Sequence, residues 1–393
     1  MTDARRIYLI FFLQPVALGA WLPQIPAVQT ALGLSNSGLA LALIGAPIGI
    51  LTTLLVAGRI AARLGARQVV LVFYPLFLLA MLLPFLAPSQ WLLMAGLFLV
   101  GSSMSVLELG MNILADDHEK ATGHHIMSRA HGCWSFGLLS GTLIGSAVAG
   151  LGLSPLVAGL TIALVVEALV LPSIRRLPGP RPAEAPKERR RGFRLPHPVL
   201  LGVCFFTFGT TMVEGAVEDW AAVFLRDVFA AEPGLAGVGV SLFAFTLATT
   251  RFFGDRLRQV APPGRLGQGL AVVGLTGLAV VWLAPGPPTA LAGLAILGVG
   301  TSLAFPLGVI AAARAPGPSA ASNVALLSFV ALLGFLVGPL TIGPIADHFG
   351  IRTGLMVLAP MIGLSLVLAP CLTLAGHQDA AGPADRDARG KAA

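Results

Sequence analysis

Residues 91–107 read "WLLMAGLFLVGSSMSVL", seventeen residues without a charge, and Glu108 follows directly. A helix that crosses hydrocarbon needs about 20 mostly apolar residues, so this stretch predicts a transmembrane helix. An ionisable residue inside such a helix costs about 2.5–3.5 kcal/mol on insertion and is therefore a functional hypothesis. The Glu108 carboxyl is therefore the first candidate for a functional group.

The composition predicts a polytopic membrane protein. Of the 393 residues, 56% are hydrophobic and 11% are charged, whereas soluble domains carry about 25% charged residues. This balance argues against a soluble all-helical protein. The net charge of +7 lies in short loops between apolar segments, so the expected partner is the lipid bilayer and not nucleic acid. The three cysteines are far apart, which predicts neither a disulfide framework nor a metal site.

Apolar segments of the required length occur twelve times. They predict an all-α integral membrane fold of twelve transmembrane helices in two six-helix, pseudo-symmetric bundles. The N-terminal segment lacks a convincing cleavage site and is interpreted as a retained first helix. The predicted spans are residues 7–31, 37–57, 69–87, 91–114, 128–150, 154–172, 198–225, 237–254, 266–284, 289–312, 320–343 and 353–374.

Lysine and arginine positions predict the orientation of the chain. Cytoplasmic loops of membrane proteins carry an excess of these residues. With the N-terminus inside, 23 of the 25 basic residues are cytoplasmic and only Arg226 and Arg352 are external. Arginine also greatly outnumbers lysine, which is typical of GC-rich bacterial genomes. We therefore predict a multi-pass protein of the bacterial inner membrane with both termini in the cytoplasm.

The two halves of the chain resemble each other. "GLFLVGSSMS" (96–105) matches "GLAILGVGTS" (293–302), and "GLLSG" (137–141) matches "GFLVG" (334–338), both 197 residues apart. This repetition predicts an N-terminal bundle at 1–174 and a C-terminal bundle at 198–375. Between them lies a cytoplasmic linker, 175–197, and a disordered cytoplasmic tail occupies 376–393. Parallel six-helix repeats are a known transporter architecture with the substrate site at their interface.

Two loop sequences resemble the major facilitator superfamily, whose loop between helices 2 and 3 reads Gly-x-x-x-Asp-Arg-x-Gly-x-Arg. The corresponding loop here is "GRIAARLGAR" (58–67), in which Ala62 replaces the acid, and "GDRLRQ" (254–259) is its second-half counterpart. In the family this acid latches the two halves in one orientation. The resemblance therefore implies conformational-latch roles for Gly58, Arg63, Gly65, Arg67, Gly254, Asp255 and Arg256.

Three further motifs resemble the branch that contains fucose permeases. They are "ELGMN" (108–112), "RAHGCWSFGLLSG" (129–141) and "EGAVEDWAAVFLRD" (214–227). Sugar permeases of that branch carry an acid on helix 4, four residues before an asparagine, which maps onto Glu108 and Asn112. They also carry an acid on helix 1, which this chain lacks, so fucose itself is not the expected substrate.

Glu108 lies on a polar stripe of the fourth predicted helix. Residues four apart share a helix face, so Met104, Glu108 and Asn112 line up with Gly101 and Ser105 close by. Such a face is expected to meet protein or water and not lipid. A carboxyl group in a low dielectric can cycle between protonated and charged forms during transport. Glu108 is therefore interpreted as the proton-coupling carboxylate, and a structural carboxyl bonded to a neighbouring helix is the alternative.

Other intramembrane polar residues are weaker candidates. Glu214 and His131 are further candidates for proton coupling, although a histidine so close to a helix start is often a packing or capping residue. Arg251, near a predicted helix end, is interpreted as snorkelling to the interface. Candidates for substrate binding are Gln14, Trp21, Asn112, Trp134, Glu218 and Trp220. Interface anchoring is the alternative for Trp21 and Trp134, and hydration at the external end of the helix is the alternative for Glu218.

The sequence as a whole predicts a secondary active transporter that moves a small polar or amphipathic, sugar-like solute by alternating access. Protons and one small-molecule substrate are the expected partners, no cofactor is expected, and the chain is expected to be a monomer. A proton-driven exporter of drugs or metabolites is the close alternative, and a non-transporting membrane sensor is a distant one. No catalytic motif is present that would indicate an enzyme.

Overall fold

The computed structural model describes residues 2–178 and 196–377. These ranges contain twelve helical segments that are long and apolar enough to cross a membrane, so the prediction of twelve spans is confirmed. No β-strand occurs within them. We number the spans α1 Asp3–Ala31, α2 Asn36–Leu64, α3 Ala66–Leu86, α4 Gln90–Thr122, α5 Met127–Gly150, α6 Pro155–Arg175, α7 Pro198–Phe229, α8 Pro233–Phe252, α9 Pro263–Leu283, α10 Pro287–Arg314, α11 Ala320–Phe349 and α12 Ile351–Leu368.

The chain runs up and down between two faces. We call the face at which α2, α4, α6, α8, α10 and α12 end the linker face, because the linker between α6 and α7 starts there. The opposite face, at which the odd-numbered helices end, is the far face. Most of the predicted linker (175–197) and of the predicted tail (376–393) lies outside the described residues.

Several helices continue beyond their predicted ends. The fourth span was predicted to end at residue 114, but α4 continues to Thr122. The added turns carry an ion pair between Lys120 Nζ and Asp116 Oδ2 at 2.6 Å, four residues apart, a spacing that supports exposed helices. Gly123 then ends the helix in the left-handed conformation at φ 72°, which glycine adopts without strain. The helix therefore extends beyond the apolar segment from which it was predicted.

Small residues bring α1 and α5 into backbone contact. A Cβ atom added at Gly137, Gly141 or Gly145 of α5 would collide with the carbonyl oxygens of Phe12, Val16 or Ala20 of α1. The second half repeats this packing, because a Cβ on Gly334 of α11 would meet the backbone of α7. The glycine spacing that the repeat shares is thus a close-packing device.

The two halves are joined at the far face. Arg226 of α7 donates to the Pro26 carbonyl oxygen at 2.8 Å, and Ser146 of α5 contacts Ser241 of α8 through their hydroxyl oxygens at 3.3 Å. Beside them α5 and α8 touch through backbone, since a Cβ on Gly234 would lie 2.9 Å from Gly150 Cα. Across the described ranges, every hydrogen bond between the halves involves residues in the far-face half of the molecule. The molecule is therefore closed at the far face.

Gly141→Ala is expected to destabilise the protein, because its methyl group would sit against the Val16 carbonyl. Overpacking of this kind costs about 1–3 kcal/mol. The thermal unfolding midpoint of the purified protein in detergent, followed by circular dichroism, should fall. Gly132→Ala on the same helix is the matched control, because its added Cβ meets nothing within 4 Å. Equal midpoints for the two variants would contradict this account of the α1–α5 contact.

Candidate functional site

Glu108 lies on the side of α4 opposite to an exposed leucine. It lies nine residues after Leu99, which is 50% exposed. Nine residues make about two and a half helical turns, so the two side chains point in opposite directions. The Glu108 side chain is half-buried, and no hydrogen bond or ion pair joins its carboxyl to any other described residue. A half-buried carboxyl without a bonded partner can exchange a proton or bind a ligand.

A polar group in the first half connects α1 and α5. Gln14 is fully buried, and its Oε1 accepts a hydrogen bond of 2.7 Å from Trp134 Nε1. The Gln14 Nε2 atom is also buried and has no partner within the described residues. His131 lies one turn from Trp134 on α5, with its ring edge-on to Phe11 at 5.4 Å between centroids. An orphaned buried amide donor is unfavourable, so this group favours a ligand that accepts a hydrogen bond.

An ion pair in the second half connects α7, α8 and α10. Arg251 Nη2 lies 3.0 Å from Glu214 Oε1 and 2.9 Å from Oε2, and Arg251 Nε donates to the Ser302 carbonyl oxygen at 2.8 Å. The interpretation of Arg251 as a snorkelling residue is therefore wrong. Its guanidinium turns inward because Glu214, a carboxylate that is only 14% exposed, needs a cation in a low dielectric.

Electrostatic contacts connect these groups further. Glu218 lies one turn after Glu214 on α7, is half-buried, and interacts electrostatically with both Glu214 and Arg251. His131 of the first half also lies within electrostatic range of Arg251 of the second half. One predicted residue of the first half is thus near the ion pair of the second.

Three predicted substrate residues lie elsewhere or remain without contacts that define a role. Trp21 is 3% exposed, packs edge-on against Phe85 at 5.4 Å, and lines a void of about 20 Å³ inside the first bundle, room for about one water molecule. Trp220 is fully buried inside the second bundle. The position of Trp21 does not favour substrate contact, whereas Trp220 Nε1 is buried without a partner within the described residues. Asn112 is half-buried on α4, one turn from Glu108 toward the linker face.

The residues predicted as a conformational latch lie at the linker face. Gly58 and Arg63 are exposed on the last turns of α2, and Gly65 forms the turn to α3 at φ 79°. Arg67 Nη2 donates to the Arg175 carbonyl oxygen at 2.6 Å, within its own half. None of these contacts crosses between the halves.

The second-half latch residues follow α8. Gly254 is buried against Leu303 and begins a short helix, Gly254–Val260. The Arg256 guanidinium lies 5.7 Å from the centre of the Phe253 ring. The side chain of Asp255 lies outside the described part of the structure.

Sequence reasoning missed the partner of Glu214, although a signal for it exists. The connection between α7 and α8 spans only residues 230–232, so the two helices run antiparallel as neighbours. Residues equally distant from that connection lie at similar depth. Glu214 lies 15 residues before Phe229 and Arg251 lies 18 residues after Pro233, which puts the two charges near one level.

The arrangement combines a carboxyl without a bonded partner, a buried hydrogen-bonding amide and indole, and a carboxylate–guanidinium pair. These groups can bind a polar solute and exchange protons with it or with water. In the described residues no cluster of His, Cys, Asp or Glu could hold a metal ion. The chemistry that the groups support is binding and protonation.

Known proteins resemble the chain along most of its length. An uncharacterised MFS-type transporter of Yersinia pestis is 29% identical over 341 residues, which cover 86% of this chain and 88% of that protein. The crystal structure of the nucleoside transporter NupG has a TM-score of 0.72 at 15% identity, covering 95% of this chain and 99% of that one. A variant of the E. coli fucose:proton symporter FucP has a TM-score of 0.65 at 15% identity, covering 94% and 98%. The family model of the Major Facilitator Superfamily matches residues 7–308, and the chain therefore belongs to that superfamily.

Proposed function

We propose that this protein is a proton-coupled secondary transporter for a small polar, sugar-like solute, working by alternating access. Glu108 carries the coupling proton. The observation that carries this proposal is the Glu108 carboxyl, which is half-buried within a transmembrane helix and has no bonded partner among the described residues. A purely structural carboxyl would be expected to have one.

The substrate site is proposed at the interface between the bundles. Gln14 and Trp134 offer an unpartnered amide donor and an aromatic ring from the first half. Glu218 offers a carboxyl oxygen from the second half, and Asn112 extends the stripe that begins at Glu108. A hydroxylated ring satisfies such groups, because it presents several donors and acceptors together with an apolar face.

Proton movement supplies the driving force in this scheme. Protonation removes the charge of Glu108 and favours its burial as the halves rock, and deprotonation on the other side resets it. One charge moved across 100 mV is worth about 2.3 kcal/mol. That free energy concentrates a neutral solute roughly fifty-fold. Arg251 is proposed to keep Glu214 paired, and Glu108 on α4 is the carboxyl proposed to take up and release the proton during the cycle. His131 is proposed to pass protons toward this region.

The proposal includes the orientation of the protein in the membrane and the direction of transport. The linker face is the cytoplasmic face of the bacterial inner membrane, as the distribution of basic residues indicates. The structure closed at the far face is then an inward-facing state. A single chain contributes both halves of the site, which supports a monomeric transporter. Proton-driven export would use the same residues, and the sign of the gradient-driven flux decides between import and export.

Glu108→Gln is expected to abolish concentrative transport, because glutamine cannot release a proton. Purified protein in liposomes with an imposed pH gradient would first be screened with labelled monosaccharides and nucleosides. With the solute that accumulates, the variant should drive the accumulation ratio toward one while retaining exchange of labelled for unlabelled solute. Glu232→Gln, an exposed residue before α8 without a capping bond, is the control and should behave as wild type. Unchanged accumulation by Glu108→Gln would rule out the coupling role.

Arg251→Gln is expected to impair both stability and transport, because it leaves the Glu214 carboxylate poorly solvated. Loss of a hydrogen bond to a charged group costs about 1.5–3 kcal/mol. Glu214→Gln alone should also be destabilising, and the double variant should recover part of the loss. A double-mutant cycle on thermal unfolding measures the coupling between the two side chains. Strictly additive effects would show that the pair contributes nothing.

A further inference from the structure

A ten-residue pattern occurs at both faces of the molecule. "GRIAARLGAR" (58–67) connects α2 to α3 at the linker face, and "GPIADHFGIR" (343–352) connects α11 to α12 at the far face. The two share glycine, isoleucine, alanine, glycine and arginine at equivalent positions. The sequence analysis did not recognise the second copy. It compared the loop at 58–67 with its counterpart at 254–259, which lies at the same face, and not with the loop at 343–352 at the opposite face.

The two copies have the same backbone. Gly65 adopts φ 79° and ψ 150°, and Gly350 adopts φ 81° and ψ 155°. Each glycine amide donates to the carbonyl four residues earlier, Ala61 at 2.8 Å and Ala346 at 2.9 Å. Positive φ favours glycine at both positions. The two loops are therefore one structural module used twice.

The arginine of each copy holds the module to its own half. Arg67 donates to the carbonyl of Arg175, the last residue of α6, at 2.6 Å. Arg352 donates to the carbonyls of Trp282 and Ala284 at the end of α9, both at 3.0 Å. Cations are favoured at helix C-termini. Both loops thus move with the bundle that carries them.

The copies differ at the fifth position, which is Ala62 at the linker face and Asp347 at the far face. Asp347 Oδ1 accepts from the Asn36 amide at 2.7 Å, and Oδ2 accepts from the Ser37 amide at 2.9 Å. These amides start α2 in the opposite half, where a helix N-terminus favours negative charge. Gly343 lets α11 approach this point, since a Cβ there would lie 2.6 Å from Ala40 Cβ. The far-face module therefore bonds the two halves to each other.

A second chain of bonds reinforces the contact. Arg226 Nη2 donates to Gln29 Oε1 at 2.7 Å, and Gln29 Nε2 donates to Asn36 Oδ1 at 3.1 Å. Four helices, α7, α1, α2 and α11, are thus connected through Arg226, Gln29, Asn36 and Asp347. The bonds that cross between the halves, from Arg226 to Gln29 and from Asn36 and Ser37 to Asp347, must break or be exchanged for water if the far face opens.

We propose that Asp347 is the acid of a far-face latch, and that Ala62 leaves the matching position of the linker-face module without one. The halves consequently favour the state closed at the far face. Because α2 and α11 run antiparallel, the same kind of contact between them can form at either face. The end of α11 binds the start of α2 at the far face, and the end of α2 would meet the start of α11 if the linker face closed. The inference rests on the alternating access of the proposed function, but it concerns the resting equilibrium and not the coupling proton.

Distances between nitroxide labels on the full-length protein test the latch. The three native cysteines would be replaced by serine, and labels attached at Leu153 and Thr289, exposed far-face positions in opposite halves. Asp347→Asn should raise the ratio of far-face-open to far-face-closed molecules about tenfold, the effect of losing a charge-assisted hydrogen bond. Ala62→Asp, at an exposed position, should raise the same ratio by supplying the missing acid. Glu232→Gln should leave it unchanged.

The outcomes separate this inference from the coupling proposal. An unchanged distance distribution in folded Asp347→Asn would overturn the latch, and an unchanged distribution in Ala62→Asp would overturn the role assigned to the alanine. If Asp347→Asn does not fold, Ala62→Asp in the native background carries the test. The distances require no substrate or pH gradient, so a failure of the Glu108 prediction leaves this result standing.

Discussion

The absence of water from hydrocarbon governs what each polar group in this protein does. A polar side chain inside the bilayer needs a partner within the protein, because no solvent replaces a missing hydrogen bond. Most of the described polar side chains meet this demand locally. Gln24 Nε2 donates to the Gly145 carbonyl at 2.7 Å, and the Tyr74 hydroxyl donates to the Ile10 carbonyl at 3.2 Å. Glu214 meets it through Arg251. Glu108 shares the lack of a bonded partner, in the described part of the chain, with Glu167, Glu218 and Asp219, and these carboxyls are the groups that remain able to bind a proton or a ligand.

The same constraint made the fold predictable from sequence. Because a span must be apolar for about 20 residues, hydropathy revealed all twelve helices and their order. It could not give the helix ends, since α4 continues through Asp116 and Lys120 into water and stops where Gly123 adopts positive φ. Apolar content marks where a helix meets lipid. Capping and chain geometry mark where it ends.

The candidate site was only partly predictable, because residue type does not give the rotation of a helix. Glu108 and Gln14 stood out as polar residues in apolar spans, and periodicity gave Glu108 its stripe. A tryptophan in an apolar span does not stand out in this way, because it suits lipid, protein and substrate contacts alike. The sequence therefore did not distinguish Trp21 and Trp220, which are buried inside their bundles, from Trp134. Arg251 was wrongly interpreted as an interface residue because it lies near a helix end. Its partner Glu214 lies at a similar depth on the neighbouring helix α7. Arg226 and Arg352, the two arginines that the charge distribution places at the external face, both donate to backbone carbonyls.

The crossing of α5 and α8 has a mechanical consequence. At Gly150 and Gly234 neither helix presents a side chain, so bare backbone meets bare backbone. Surfaces without interlocking side chains roll over one another without any rotamer having to change. This contact can serve as a pivot that adds little to the free-energy cost of separating the bundles. That cost is then set by the hydrogen bonds around it.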